Sequence, residues 1–143
     1  AGDILFNRTN SKELVGKCAV FDLTLAAVFA SYLIRVVVNT KEANPYYIAS
    51  IINGPIGRQQ IDAMSRQIIG QANINSEELK SLRIPLPPLP VQTALVAETT
   101  SARQRADALR AQARIRRETA HAEVEAMILG QMPPPATIQV ALQ

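Results

Sequence analysis

From Val91 to Leu129 the chain contains neither glycine nor proline, and Ala, Arg, Glu, Gln and Leu dominate it. These residues lose little conformational freedom in a helix, whereas Gly and Pro interrupt one. Pro90 suits a first helical position, where its missing N–H would have had no partner. Gly130 and Pro133 supply a stop. The pattern predicts one helix of about 40 residues, which at 1.5 Å per residue spans about 60 Å. A small domain is about half as wide, so much of this helix cannot lie on its own globular part. A weak apolar seam runs along it. Leu95, Ala102 and Leu109 are seven apart, Ala106, Ala113, Ala120 and Met127 fall on a second seven-residue register, and the two interleave as a and d positions of a heptad. The first series continues into Arg116 and Glu123, so the seam degrades toward the C-terminal end. The seam predicts a helix partner, and a second copy of the chain would give a homodimer. A single exposed helix is the bland alternative.

Just before this helix, "NINSEELKSLRIPLPPLPVQ" (residues 73–92) packs four prolines into six positions. Prolines fix φ and bias the residue before them toward extended geometry. Leu82, Ile84 and Leu86 alternate, which predicts a short extended piece at a sheet edge. The stretch reads as a stiff strap, with Leu86 and Leu89 as its expected buried anchors. Asn75 and Glu78 have the spacing of a capping box, with Asn in place of Ser or Thr, opening a short helix over "SEELKSL".

The first 39 residues read mostly as β. "DILF", "KCAVF" and the β-branched "SYLIRVVVN" are strand-like runs, and "LTLAAVF" fits helix or strand equally by periodicity. Between Asp22 and Arg35 the uncharged run is 12 residues long, short of the roughly 20 that a spanning helix needs. Strands in a core are therefore expected, with no membrane segment. Asn44-Pro45 then signals a helix start, Tyr47, Ile48, Ile51 and Ile52 follow at helical spacing, and Gly54-Pro55 ends it. A second helix is predicted through "IGRQQIDAMSRQI", with Ile61, Met64 and Ile68 on one face, broken by "GQANIN".

Catalytic machinery is scarce. The single histidine, His121, falls in the Arg/Glu-rich part of the long helix, where a solvated side chain is expected. The single cysteine, Cys18, lies in a strand-like run and reads as a buried apolar residue. It excludes an intramolecular disulfide or a cysteine zinc cluster, and fits a cytoplasmic protein. There is no P-loop, no GxGxxG and no metal-ligand spacing, so no cofactor and no metal are expected. Glu77-Glu78 could pass for an acid pair, but both fall in a first helical turn, where carboxylates favour the dipole. A small enzyme with a helical dimerisation arm is thus the weaker reading. The net charge of +3 permits an anionic partner without requiring one. Two polar loops suit nucleic acid. "NRTNSK" offers Arg8, Asn10, Ser11 and Lys12, and "SRQIIGQ" offers Arg66, Gln67 and Gln71 near a glycine bend. Arg and Lys meet phosphate or guanine, and Asn or Gln can read adenine with two bonds. Any exposed loop holds such residues, so each alone is equally well a solvated side chain.

The order of these motifs resembles the specificity (S) subunit of type I restriction-modification systems. "GDILFNRTNS" is similar to that family's strand and polar turn, "ASYLIRVVV" to the following strand, and "YYIASIINGPIGRQQI" to its helix–break–helix element. "GQANINSEELKSLRIPLPPLPVQ" resembles the most specific stretch, which closes the target recognition domain and opens a spacer helix. "PVQ" stands where "PEQ" is common in the family, and the resemblance covers residues 2 to about 129. It implies an α+β fold: a partial, small mixed α/β target recognition domain over 1–86, a proline strap with a long pairing helix over 87–131, and an irregular tail over 132–143. The chain is then expected to begin inside the recognition domain. The resemblance also implies a non-catalytic DNA-recognition and scaffolding module. Such a module acts on a bipartite site in double-stranded DNA, with a modification methyltransferase subunit and a restriction/translocase subunit as partners. A scaffold fragment that keeps the helix and methyltransferase contacts without binding DNA alone is the second implied reading.

Overall fold

The computed structural model describes residues 2–68 and 71–135. The architecture is mixed α/β, with two small sheets and one long helix. Strands β1 (Asp3–Asn7), β3 (Cys18–Phe21) and β4 (Leu33–Val36) form an antiparallel sheet in the order β3-β1-β4. Side chains alternate across a strand, and residues paired across strands share a face. Ile4 pairs with Val20 and Val36, and Phe6 pairs with Cys18 and Ile34. This row turns inward: Ile4 and Phe6 are fully buried, and the other four pack against the same core. Helix α1 (Pro45–Asn53) covers the row with Tyr47, Ile48, Ala49 and Ile52. Its start is capped as expected, the Asn44 side chain accepting from the backbone N–H groups of Tyr46 and Tyr47.

The apolar stretch expected to lie as strands in a core is only partly so. The segment between β3 and β4 is an irregular loop that exposes Leu23, Leu25, Val28 and Phe29. The sheet order explains it. Strands β3 and β4 flank β1 on opposite sides and both run antiparallel to it, so they are parallel to each other and their connection runs back from the Asp3 end of β1 to its Asn7 end instead of joining a ladder.

Helix α2 (Pro55–Met64) follows α1 with only Gly54 between them. Gly57 makes the tight corner possible. A Cβ there would lie 2.5 Å from Ile52 Cα and 2.6 Å from the Ile51 carbonyl oxygen, and would overlap the Ile52 carbonyl oxygen. The helix predicted to continue through Ile68 stops at Met64, because Ser65 is extended and Arg66–Ile68 form strand β5. Ile68 therefore shares no helical face with Ile61, which is the fully buried residue of α2. Strand β6 (Gln71–Asn73) pairs with β5 on one side and with the two-residue strand β2 (Thr9–Asn10) on the other. The glycine of the expected bend, Gly70, lies outside the described residues. Asn75 and Glu78 form the predicted capping box, opening α3 (Ser76–Lys80).

The strap departs from expectation in two ways. Residues 82–88 form neither helix nor strand. Leu86, an expected anchor, is 52% exposed, and Leu89 is only half-buried. Leu82 and Ile84 pack on the core instead, while Leu86, which the same alternation would place beside them, does not. Polar side chains tie down the rest. Gln60 accepts from the Arg83 N–H at 2.9 Å and donates to its carbonyl at 3.0 Å, and the Tyr47 hydroxyl donates to the Pro85 carbonyl at 3.0 Å. Gln92 is the fully buried polar side chain at the end of the strap.

Helix α4 runs from Leu89 to Ile128, 40 residues. Gly130 ends it at φ +69°, with Gln131 N–H donating to the Ala126 carbonyl at 2.8 Å and Gly130 N–H to Met127 at 3.1 Å, a Schellman motif. Residues 131–135 are irregular, and the rest of the tail expected over 132–143 lies outside the described residues. By compactness the chain divides into Ala1–Glu98 and Thr99–Gln143. No helix among the described residues is long and apolar enough to cross a membrane.

Candidate nucleic-acid interface

The second sheet, in the order β2-β6-β5, joins segments that are more than 50 residues apart in sequence. Thr9 and Arg66 both pair with Asn73, and Asn10 and Gln67 both pair with Ala72. The two polar loops singled out in the sequence are thus adjacent strands of one ribbon. Along β6, Ala72 is buried and Asn73 exposed. The Thr9 hydroxyl donates to Asn73 Oδ1 at 3.1 Å. Gln71 lies at the other end of β6, opposite Ile68.

Arg8 stands where the chain passes from one sheet to the other. Its N–H donates to the Tyr32 carbonyl and its carbonyl accepts from Ile74, both at 2.9 Å. Its Nε is buried and meets no hydrogen-bond partner among the described residues. Asn10 Oδ1 accepts from the Ser11 N–H at 2.8 Å, so this side chain shapes the turn. A hydrogen bond from the Ser11 side chain holds the Glu13 carboxyl below its ordinary pKa. Lys12 is exposed.

The turn is braced from both sides. Asn7 donates through Nδ2 to the Leu14 carbonyl at 3.2 Å. Arg58, on α2, donates to the carbonyls of Val15 and Lys12 and pairs with Asp62 at 2.7 Å. Arg58, Thr9 and Asn73 escape the sequence reading. Arg58 had one available signal: a cation near a helix N-terminus opposes the dipole, so its presence there asks for another role. Thr9 and Asn73 had none, because their adjacency exists only through strand pairing.

Elsewhere the chemistry is quiet. Cys18 lies against α1, its Sγ 3.7 Å from the Ala49 carbonyl, and burial pushes its thiol pKa up to about 12 despite a hydrogen bond from Asn53. His121 is exposed on α4. No group of three His, Cys, Asp or Glu among the described residues could hold a metal ion. An apolar groove of about 510 Å³ lies between β4, α1, α3 and the strap, lined by Ile34, Val36, Ile48, Ile52, Leu79 and Ile84 among others.

On α4 the predicted stripe is largely bare. Leu95, Ala102, Leu109, Ala113 and Ala120 are exposed, and Ala106 and Met127 are half-buried. Where the heptad fails at Arg116 and Glu123, Val124 and Ile128 follow Ala120 at helical spacing and are exposed too, so an apolar face continues to the end of the helix.

The geometry defines a small α/β unit with a polar ribbon at one sheet and a long helix rooted in it. No family model matches the chain. A relative is found in Methanocaldococcus jannaschii, described as "Putative type I restriction enzyme MjaX specificity subunit". It is 32% identical over 92 residues, which cover 64% of this chain and 22% of the relative. The chain thus corresponds to about a fifth of that relative's length. Over the matched residues it is a homologue of a type I restriction enzyme specificity subunit, in agreement with the resemblance drawn from its motifs.

Proposed function

We propose that the chain is a DNA-recognition and scaffolding module of a type I restriction-modification complex. In this reading it catalyses no reaction itself. It positions methyltransferase and restriction/translocase subunits on a bipartite site in double-stranded DNA, in the cytoplasm. The homology to a specificity subunit is the observation that carries the proposal. The β2-β6-β5 ribbon supports it: β2 carries Asn10 with Arg8, Ser11 and Lys12 next to it in sequence, and the distant strands β5 and β6 carry Arg66 and Gln71. Arg8 and Lys12 act chiefly on phosphate. The test is duplex binding across a salt series. Each phosphate contact removed lowers the slope of log K against log salt by about 0.9. Arg8→Ala with Lys12→Ala should reduce that slope, and an unchanged slope removes both from the site.

The bare apolar face of α4 supports pairing of two such helices. In an antiparallel homodimer each end carries one recognition unit, which favours a palindromic bipartite site. A scaffold that keeps the helix and methyltransferase contacts but does not bind DNA alone is the second reading. Helix-dependent self-association without any salt-dependent duplex binding selects it.

A further inference from the structure

Gln92 is buried completely, and three of its four hydrogen-bonding positions are used on two separate segments. Its Oε1 accepts from the Asn44 N–H at 2.9 Å, at the cap of α1. Its Nε2 donates to the Glu42 carbonyl at 3.0 Å, in the turn before that cap, and to the Pro87 carbonyl at 2.7 Å, in the strap. Its own backbone N–H holds the Pro88 carbonyl at 3.2 Å. A primary amide suits this position because it supplies two donors and an acceptor without charge. A carboxylate lacks the donors, an ammonium lacks the acceptor, and an apolar side chain leaves two carbonyls and one N–H buried without partners. The neighbouring apolar contacts are thin. Leu89 is half-buried and Leu95 exposed, which leaves Val96 as the α4 side chain packed on the core.

We infer that Gln92 is the positioning residue that fixes the root of α4, Leu89–Glu98, on the globular unit. Apolar packing through one valine is non-directional and would let the helix pivot. Three hydrogen bonds to backbone groups on two sides of the root define an orientation. The strap's prolines add to this, because the carbonyls gripped by Gln92 sit on backbone whose φ is already restricted. The functional consequence rests on the specificity-subunit reading: a helix that measures the distance between two recognition units needs a root that does not swing. Gln92 would then set how sharply the complex discriminates spacer length, without touching DNA.

The test uses the full chain with Cys18→Ala and spin labels at Gln59→Cys in α2 and Ala97→Cys in the root of α4, diluted with unlabelled protein so that only distances within one chain are read. With Gln92 present a single narrow distance is expected. Gln92→Leu should lose it and give a broad distribution. A control that lowers stability elsewhere in the core, Val15→Ala, should keep the narrow distance, which separates a positioning role from general loosening. A narrow distance retained in Gln92→Leu overturns the proposal. Hydrogen exchange on the wild-type chain gives a reading that needs no Gln92 variant. The amides of Asn44 and Val96 should exchange as slowly as those of Ile4 and Phe6 in β1. Exchange at the root well ahead of β1 refutes the clamp. Neither measurement involves DNA, so a failed clamp and a failed DNA-binding reading are told apart.

Discussion

Replacing Gly57 with alanine sets two effects of opposite sign against each other. Gly57 is the third residue of α2, and alanine in a helix is favoured over glycine by about 1 kcal/mol. Against this, the added methyl meets the Ile52 Cα at 2.5 Å and the Ile51 carbonyl oxygen at 2.6 Å, with the Ile52 carbonyl oxygen closer still. All three are backbone atoms, so no rotamer change relieves the overlap, and α2 must move away from α1. Overpacking of this kind costs about 1–3 kcal/mol, toward the upper end where backbone must shift. The net expectation is a loss of about 2 kcal/mol once the helix gain of about 1 kcal/mol is subtracted. For a domain of this size each kcal/mol moves Tm by about 4–8 °C, so Gly57→Ala should lower Tm by about 8–16 °C. Tyrosine fluorescence is the suitable probe, because Tyr46 and Tyr47 lie on α1 and tryptophan is absent. It also avoids the far-ultraviolet signal of α4, which would mask melting of the globular unit. A variant that is more stable than wild type would show that the helix term wins and that the α1–α2 corner is wider than described.

Truncating the strap should divide its leucines sharply: Leu82→Ala or Ile84→Ala should cost about 2 kcal/mol in urea unfolding, whereas Leu86→Ala should stay within about 0.5 kcal/mol. Equal losses at all three positions would contradict the packing. A Cys18 thiol with its pKa pushed up to about 12 is protonated at pH 8. Alkylation of the folded chain should therefore be about a thousandfold slower than of the chain in denaturant, from thiolate fraction alone; comparable rates would place the thiol in a different environment. Charging the helix face with Ala106→Glu and Ala113→Glu should shift sedimentation from dimer to monomer. A wild-type chain that is monomeric at every concentration, or a dimer indifferent to both charges, ends the pairing argument.

The helices were legible because their signals are local. Asn44 before Pro45, Asn75 three residues before Glu78, and a run without Gly or Pro from Val91 to Leu129 each act on backbone groups within a turn or two. Strand β1 was legible as a short apolar run, but its inward row was not, because Leu5 is as apolar as the buried Ile4 and Phe6 on either side of it. What failed was decided by partners distant in sequence. Residues 66–68 have a helical pattern but are captured by β6, because a ladder with Gln71–Asn73 competes with one more turn of α2. The apolar run after β3 reads as core, yet sheet order puts part of it on a crossing loop. Leu86 and Ile84 are indistinguishable by pattern, and only the groove formed with α1 and α3, which includes Ile84 and not Leu86, decides which is covered. Gln92 is the sharpest case. Glutamine at a helix start is unremarkable in sequence, and it becomes a buried junction only when the turn through Glu42 and Asn44 and the strap at Pro87 are brought together around it. Propensity and capping act through neighbours along the chain, whereas burial and hydrogen-bond satisfaction depend on which distant groups arrive, and that is a property of the folded structure alone.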